Sequence, residues 1–219
     1  NTGFALNQHE GLNDSSVIGM NNIISGDLVG VSGAFIGGSH NQISGDSSAL
    51  LNSTALGESN TVLKSNSTAI GVNSLASRFG EISLSNGRFS ENGDSQTSVF
   101  VSRCLTSNAV QTEVFLNNST ERIKLSSDSA ISFETLIVGK QQSSSNAAGY
   151  KISGVICNNG GTTALIGSIT KTVLAESVAS WDATIEADDT NDALVIKVTG
   201  TAGNDIRWVA ITTTSQVVF

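Results

Sequence analysis

The chain has 219 residues with 22 glycines and no proline, and only 14% of its residues are charged, against roughly 25% in an ordinary soluble domain. Its net charge of −8 argues against a groove that tracks nucleic-acid phosphates and against docking on anionic lipid, since both need a positive surface. No apolar run approaches the roughly 20 residues that cross a bilayer as a helix, and no signal-peptide pattern is present.

The chain opens at Asn1 without a Met and reads as a fragment of something longer. Between Ser15 and Ser77 it repeats itself. Ser-Thr-Ala-Leu-Gly at Ser53–Gly57 returns as Ser-Thr-Ala-Ile-Gly at Ser67–Gly71. An aliphatic residue recurs at Val29, Ile36, Ile43, Leu50, Leu56, Leu63 and Ile70, seven positions apart except for one step of six. A coiled coil also has a seven-residue period. Here the stretch carries nine glycines, each costing about 1 kcal/mol in a helix interior. It has four charged residues, Asp27, Asp46, Glu58 and Lys64, too few for flanking salt bridges. Short strands joined by tight turns fit better. Each copy is then one rung, with Ala and the aliphatic inward and the Gly turning at positive φ. One rung buries little, so stacking and packing against further copies must supply the core.

These residues resemble the head repeats of trimeric adhesins of the YadA type, and Gly37-Gly38 with Asn41–Asp46 is similar to repeats of bacteriophage tail fibres. The segment Gly80–Ser98 resembles one that follows such repeats in phage fibres, and Asp188–Gly200, with Ile206–Ala210, is similar to the distal ends of phage tail-fibre proteins. The resemblance implies a left-handed parallel β-roll built as a trimer, and a virion surface fibre ending in a host-recognition tip. It implies no particular receptor-contact residues.

After Ala76 the repeat stops, and Gly80–Thr97 reads as a polar transition. Beyond it apolar residues alternate with period two. Trp181, Ala183, Ile185 and Ala187 share one face, Leu194, Ile196 and Val198 another, and Asp188–Asp192 between them is a hairpin turn. Ile131–Val138, Tyr150–Ile156, Thr163–Ala175 and Ile206–Thr212 read as further strands of an antiparallel sandwich. The expected architecture is therefore all-β and homotrimeric: a repeat β-roll over 1–80, a transition over 81–120 and a β-sandwich tip over 121–219.

Cys104 and Cys157 show no Cys-x-x-Cys spacing and read as buried free thiols. His9 and His40, the two histidines, have no metal-ligand spacing and leave little for a Ser-His-Asp triad. Glu58 and Glu81 are not bound into the paired-carboxylate pattern that glycan hydrolysis needs, and the first 80 residues offer only Phe4, Phe35 and Phe79 as sugar platforms. Asp188, Asp189, Asn191 and Asp192 could ligate calcium, but a hairpin tip explains the same letters. Trp181, Trp208 and Tyr150 read as packing residues, and Arg207 as a partner across a subunit interface. Asn52, Asn66 and Asn118 begin glycosylation triplets yet read as turn residues. The loops Gln141–Ala148 and Asn158–Thr162 are the ones freest to bind. This gives Gln141, Gln142, Ser144, Asn146, Asn158 and Asn159 as candidate receptor contacts.

The expected function is adhesive. Three copies would bind a host cell-surface glycan or outer-membrane protein, gaining avidity, at the extracellular face of a virion tail fibre. The partners are the chain's own copies, the receptor and the rest of the fibre, without nucleic acid or membrane insertion. No catalysis, metal or cofactor is expected. The alternatives are a depolymerase tailspike, a purely structural trimerisation tip and a bacterial adhesin head.

Overall fold

The computed structural model describes residues 8–9, 12–13, 15–26, 31–45 and 50–219. Val29, Asp27, Asp46, Phe4 and the side chain of His9 lie outside the described residues. Among the described residues there is no helix; every regular element is a strand. The chain divides into two compact units, Asn1–Ser98 and Val99–Phe219.

The first unit is a stack of parallel coils. Its strands are β1 (Gln8–His9), β2 (Leu12–Asn13), β3 (Ser16–Met20), β4 (Ile23–Gly26), β5 (Val31–Ser32), β6 (Phe35–Ser39), β7 (Gln42–Gly45), β8 (Leu50–Leu51), β9 (Thr54–Glu58), β10 (Thr61–Val62), β11 (Thr68–Val72), β12 (Leu75–Ala76) and β13 (Ile82–Asn86). They run in the orders β1-β4-β7-β10-β12, β3-β6-β9-β11-β13 and β2-β5-β8, always parallel. Thr54 pairs with Phe35 and with Thr68, so the coil shortens along the stack from 19 residues to 14.

The inward ladders are Val17–Ile36–Ala55–Ala69, Ile24–Ile43–Val62–Ala76 and Val31–Leu50, and they form one apolar core. The inward series therefore steps 7, 7 and 5 in a long coil and 7 and 7 in a short one. This corrects the sequence reading after Leu50. There the inward residues are Ala55, Val62 and Ala69, all fully buried, while Leu56, Leu63 and Ile70 are half-buried. Side chains alternate along a strand, so the six-residue step moved the assignment by one and reversed its face. The inward residues are smaller in the shortened coils, where Ala55, Val62, Ala69 and Ala76 follow Ile36, Ile43 and Leu50.

The repeated pentapeptide now reads letter by letter. Ser53 and Ser67 are buried, and their hydroxyls donate to the carbonyls of Lys64 at 3.2 Å and Arg78 at 2.7 Å. Ala is core. Leu56 and Ile70 join an outward ladder, Ile18–Gly37–Leu56–Ile70–Leu84. The Gly marks a close approach: Gly57 has φ 119° and Gly71 φ 98°, and a Cβ on Gly57 would lie 2.1 Å from the Gly71 carbonyl oxygen. Asn22, Asn41 and Asn60 form a buried column. Asn60 donates from Nδ2 to the Gly71 carbonyl at 2.9 Å, and Asn41 to that of Gly57 at 2.9 Å. Each Oδ1 accepts the backbone N–H of the next member, ending at Ser74 at 2.9 Å. At the end of the stack Glu81 is fully buried. It accepts from the N–H groups of Ser77 and Arg78, from the Arg78 guanidinium and from the Ser98 hydroxyl at 2.7 Å.

The second unit is antiparallel. It takes in most of β14 (Ser95–Thr106), then β15 (Thr112–Glu113), β16 (Ile123–Lys124), β17 (Ser129–Gln141), β18 (Ala147–Asn159), β19 (Thr162–Glu176), β20 (Asp182–Asp188), β21 (Ala193–Thr199) and β22 (Ile206–Val218). The order is β19-β18-β17-β22-β14, with a smaller sheet in which β15, β16 and β20 all pair with β21. Strict alternation on β17 and β22 buries Ile131, Phe133, Ile137, Ile206, Trp208 and Ala210. Trp181, just before β20, meets Trp208 edge-on with ring centroids 5.5 Å apart. Both indoles, and Tyr150, are core residues. The Asp188–Asp192 hairpin forms, with Asp188 paired to Ala193 across it. Asn52, Asn66 and Asn118 all sit at positive φ, 52°, 59° and 67°, where Asn is among the few side chains tolerated.

Candidate functional site

Two concavities in the second unit border the loop residues singled out from sequence. They lie at opposite ends of β18, whose 13 residues span about 40 Å. The proposed contacts therefore cannot form one site within a chain. At one end, Asp128, Cys157, Asn158, Asn159, Ile166 and Phe219 help line a groove of about 560 Å³. Asn158 is buried, and its Oδ1 accepts the Gly161 N–H at 2.8 Å, so it shapes the turn from inside. Asn159 is exposed.

At the other end, Leu105, Lys140, Gln141, Gln142, Asp205 and Arg207 line a cleft of about 420 Å³. Three inward residues fix it. Gly139 lies opposite Trp208 in the β17–β22 register, and a Cβ there would lie 2.3 Å from the indole ring. The missing side chain lets the indole lie against the strand. Trp208 Nε1 donates to Thr106 Oγ1 at 2.9 Å, tying β22 to the end of β14. Each anchor has an outward neighbour: Lys140 follows Gly139, Arg207 precedes Trp208 and Leu105 precedes Thr106. Because side chains alternate across a sheet, burying the three anchors presents the three lining residues to the cleft.

The loop above the cleft is bound to itself. Asn146 donates from Nδ2 to Gln141 Oε1 at 2.9 Å, Gln141 Nε2 donates to Asn204 Oδ1 at 2.9 Å, and the Asn146 N–H donates to Ser144 Oγ at 3.1 Å. The Gln142 N–H donates to the Asp205 carbonyl at 2.9 Å. Lys140 Nζ donates to the carbonyls of Gln141, at 3.1 Å, and Ser144. Gln141, Ser144 and Asn146 thus position the rim, while Gln142 keeps an exposed side chain. Arg207 was singled out from sequence only as a partner across a subunit interface, and Lys140, Asp205 and Leu105 did not stand out in the loop composition, because they are strand residues or lie beside a strand end. Their shared register with Trp208 was the available signal.

The other polar clusters serve structure. Asp94 accepts the N–H groups of Phe89, Ser90 and Glu91 at 3.0, 2.6 and 2.8 Å. Burial pushes its pKa up, but these hydrogen bonds outweigh burial and hold it below the usual value. Asp188 is likewise lowered, mainly by the side-chain amide of Asn191 at 2.6 Å. Asp189 and Asp192 accept from the N–H and the hydroxyl of Thr163. Arg122 forks onto Glu113 at 2.7 and 3.0 Å and lies 4.9 Å from the Phe115 ring centroid. His40, at φ 56°, meets Asn21 through Nε2 at 3.0 Å. Cys104 and Cys157 are free, as expected, but half-buried and not buried, and desolvation raises the Cys104 thiol to about 11. Among the described residues, no three His, Cys, Asp or Glu side chains gather as a metal site.

No family model matches the chain, and no curated protein matches it. Among solved structures, it is similar to the tailspike protein gp49 of Acinetobacter baumannii bacteriophage Fri1, described as a capsular polysaccharide depolymerase, at 9% identity and a TM-score of 0.34, over 92% of this chain and 44% of that one. It is also similar to the tailspike protein of Acinetobacter baumannii phage AM24, at 13% identity and a TM-score of 0.29, over 93% of this chain and 50% of that one. The chain thus spans half or less of the length of each. The description of the first as a depolymerase corrects the expectation that this chain is not an enzyme, and that expectation is withdrawn. It rested on the lack of a linear carboxylate motif. Spacing in sequence does not report carboxylates that strands or copies bring together.

Proposed function

We propose that the chain is the receptor-binding part of a phage tail fibre or tailspike, exposed on the virion, and that it recognises a host surface saccharide through the cleft between Lys140, Arg207 and Asp205. In this reading the parallel coils form a β-roll, the two antiparallel sheets form a β-sandwich tip, and three copies assemble. The observation that carries it is the cleft itself: a concavity with apolar, cationic, acidic and amide side chains, held open by buried anchors. Saccharide sites need such a mixture, with apolar surface for C–H groups and fixed polar groups for hydroxyls.

Two outward faces with exposed apolar residues support assembly. On the coil unit, Ile18, Met20, Ile82 and Leu84 are each about half exposed or more. On the second unit, Leu136 faces Ile211 and Val138 faces Val209 across β17 and β22, all exposed. Exposed apolar rows of this kind mark interaction surfaces.

The test is adsorption of the labelled chain to a panel of encapsulated bacteria and their acapsular derivatives. The reading predicts capsule-dependent adsorption to at least one strain, and adsorption to none overturns it. The same samples separate the alternatives. A depolymerase releases reducing ends from the capsule. A purely structural tip trimerises without adsorbing. An adhesin head adsorbs to animal cells or matrix instead.

A further inference from the structure

Lys140 and Arg207 are directly opposed in the antiparallel register of β17 and β22. Both are exposed. Like charges in this position repel, and neither strand needs them for packing, since their inward neighbours Gly139 and Trp208 supply the core contact. The chain carries a net charge of −8, so acidic partners are plentiful. Among the described residues, none is paired with Arg207, and neither its guanidinium nor the Asp205 carboxylate takes part in a hydrogen bond or ion pair. The Lys140 ammonium is steered by two loop carbonyls, which hold it in place without neutralising it. A concentrated positive spot has been built into a cleft on an acidic protein.

We infer that the cleft binds a saccharide through an oxyanion on the sugar, a carboxylate or a phosphate, held between Lys140 and Arg207. This inference rests on the saccharide-binding reading above and adds its substrate class. The guanidinium offers paired N–H donors that match a carboxylate or phosphate edge. Lys140 adds a point charge from the neighbouring strand. Asp205 and the Gln142 amide accept from and donate to ring hydroxyls, and Leu105, 55% exposed at the cleft wall, covers an apolar C–H face. Asp205 also repels an anion seated against it, which places the oxyanion on the Lys140 side of Arg207 and the neutral part of the sugar beside Asp205. Field focusing by a cleft lets such a pair attract anions despite the negative net charge.

The experiment titrates the whole chain with three probes: hexagalacturonic acid, its fully methyl-esterified form and mannose 6-phosphate. Arg207→Gln and Lys140→Gln are measured beside the unaltered chain, as is adsorption to the strain found above. At low salt, either the uronate or the sugar phosphate binds, and which one does so identifies the source of the oxyanion. Binding of the ester is about tenfold weaker or more, as expected for loss of a charge-assisted contact. Each Gln variant loses affinity and adsorption by a similar factor, and added salt weakens binding of the unaltered chain. Both side chains are exposed, so the variants keep the fold, checked by an unchanged melting curve.

Acid and ester binding equally, with adsorption intact in both variants, would overturn the inference and leave the saccharide-binding reading standing. A variant that changes the mass in solution while leaving saccharide binding intact would make the pair a contact between copies, and would also overturn it. Absence of adsorption by the unaltered chain would sink the underlying reading itself.

Discussion

Replacing Gly57 by alanine isolates the stacking geometry of the coils. Two costs arise. The backbone at φ 119° lies where L-residues rarely go, a strain of order 1–3 kcal/mol. The new Cβ would also stand 2.1 Å from the Gly71 carbonyl oxygen, more than 1 Å inside contact distance. Parallel strands sit about 4.8 Å apart, and the adjoining coils are hydrogen-bonded on either side, so the overlap is relieved only by moving one coil. That movement disturbs the 2.9 Å bond from Asn60 to the same carbonyl, worth about 1–3 kcal/mol when a buried group loses its partner. Together the substitution should cost about 3–5 kcal/mol. Gly80→Ala is the control. Gly80 also has positive φ, 67°, but nothing lies within 4 Å of its Cβ position, so it incurs the backbone strain alone, about 1–2 kcal/mol. Urea unfolding followed by far-ultraviolet circular dichroism compares the two. If Gly57→Ala is no more destabilising than Gly80→Ala, the close-approach argument fails.

Asn41→Ala removes a fully buried side chain that both donates to the Gly57 carbonyl and accepts from Asn60; urea midpoints should report a loss of about 2–4 kcal/mol. Asp94 has a folded pKa below its ordinary 3.8, so its carboxylate stabilises the fold above that value, and the stabilisation is lost as pH falls through the folded pKa. Asp94→Asn should therefore be less stable at pH 7, and the difference from the unaltered chain should shrink on acidification below about pH 4, read by melting temperature against pH. Trp208→Phe keeps an aromatic ring but loses the donor to Thr106, costing about 1–3 kcal/mol, and should also weaken saccharide binding, because Arg207 and Leu105 take their positions from that tie. A variant with weakened stability and unchanged binding would show that the anchors do not set the cleft.

Much of the coil unit was legible because its constraints are local. The Gly57 and Gly71 pair, the Asn-rich turns and the lack of charge all point to short strands and corners. The inward face after Leu50 was not legible from hydrophobicity, since Leu56 outranks Ala55 on any scale, yet the register that stacks Ala55 on Ile36 puts the alanine inside and Leu56 outside. The column Asn22–Asn41–Asn60 repeats at 19 residues, a period hidden by the stronger seven-residue signal. In the second unit, alternation revealed β20, β21 and their Asp-rich turn. The cleft stayed hidden because Lys140 and Arg207 are 67 positions apart in the chain and become neighbours only through the β17–β22 register. Loop composition instead pointed to Gln141, Ser144 and Asn146, which build the rim.

In the proposed trimer the outward apolar residues of both units pack between copies, and the mass in solution tests this most directly. Light scattering on the whole chain should give three times the 22.5 kDa of one chain, unchanged on dilution through the micromolar range. A stable monomer with its apolar rows exposed to water would contradict the account.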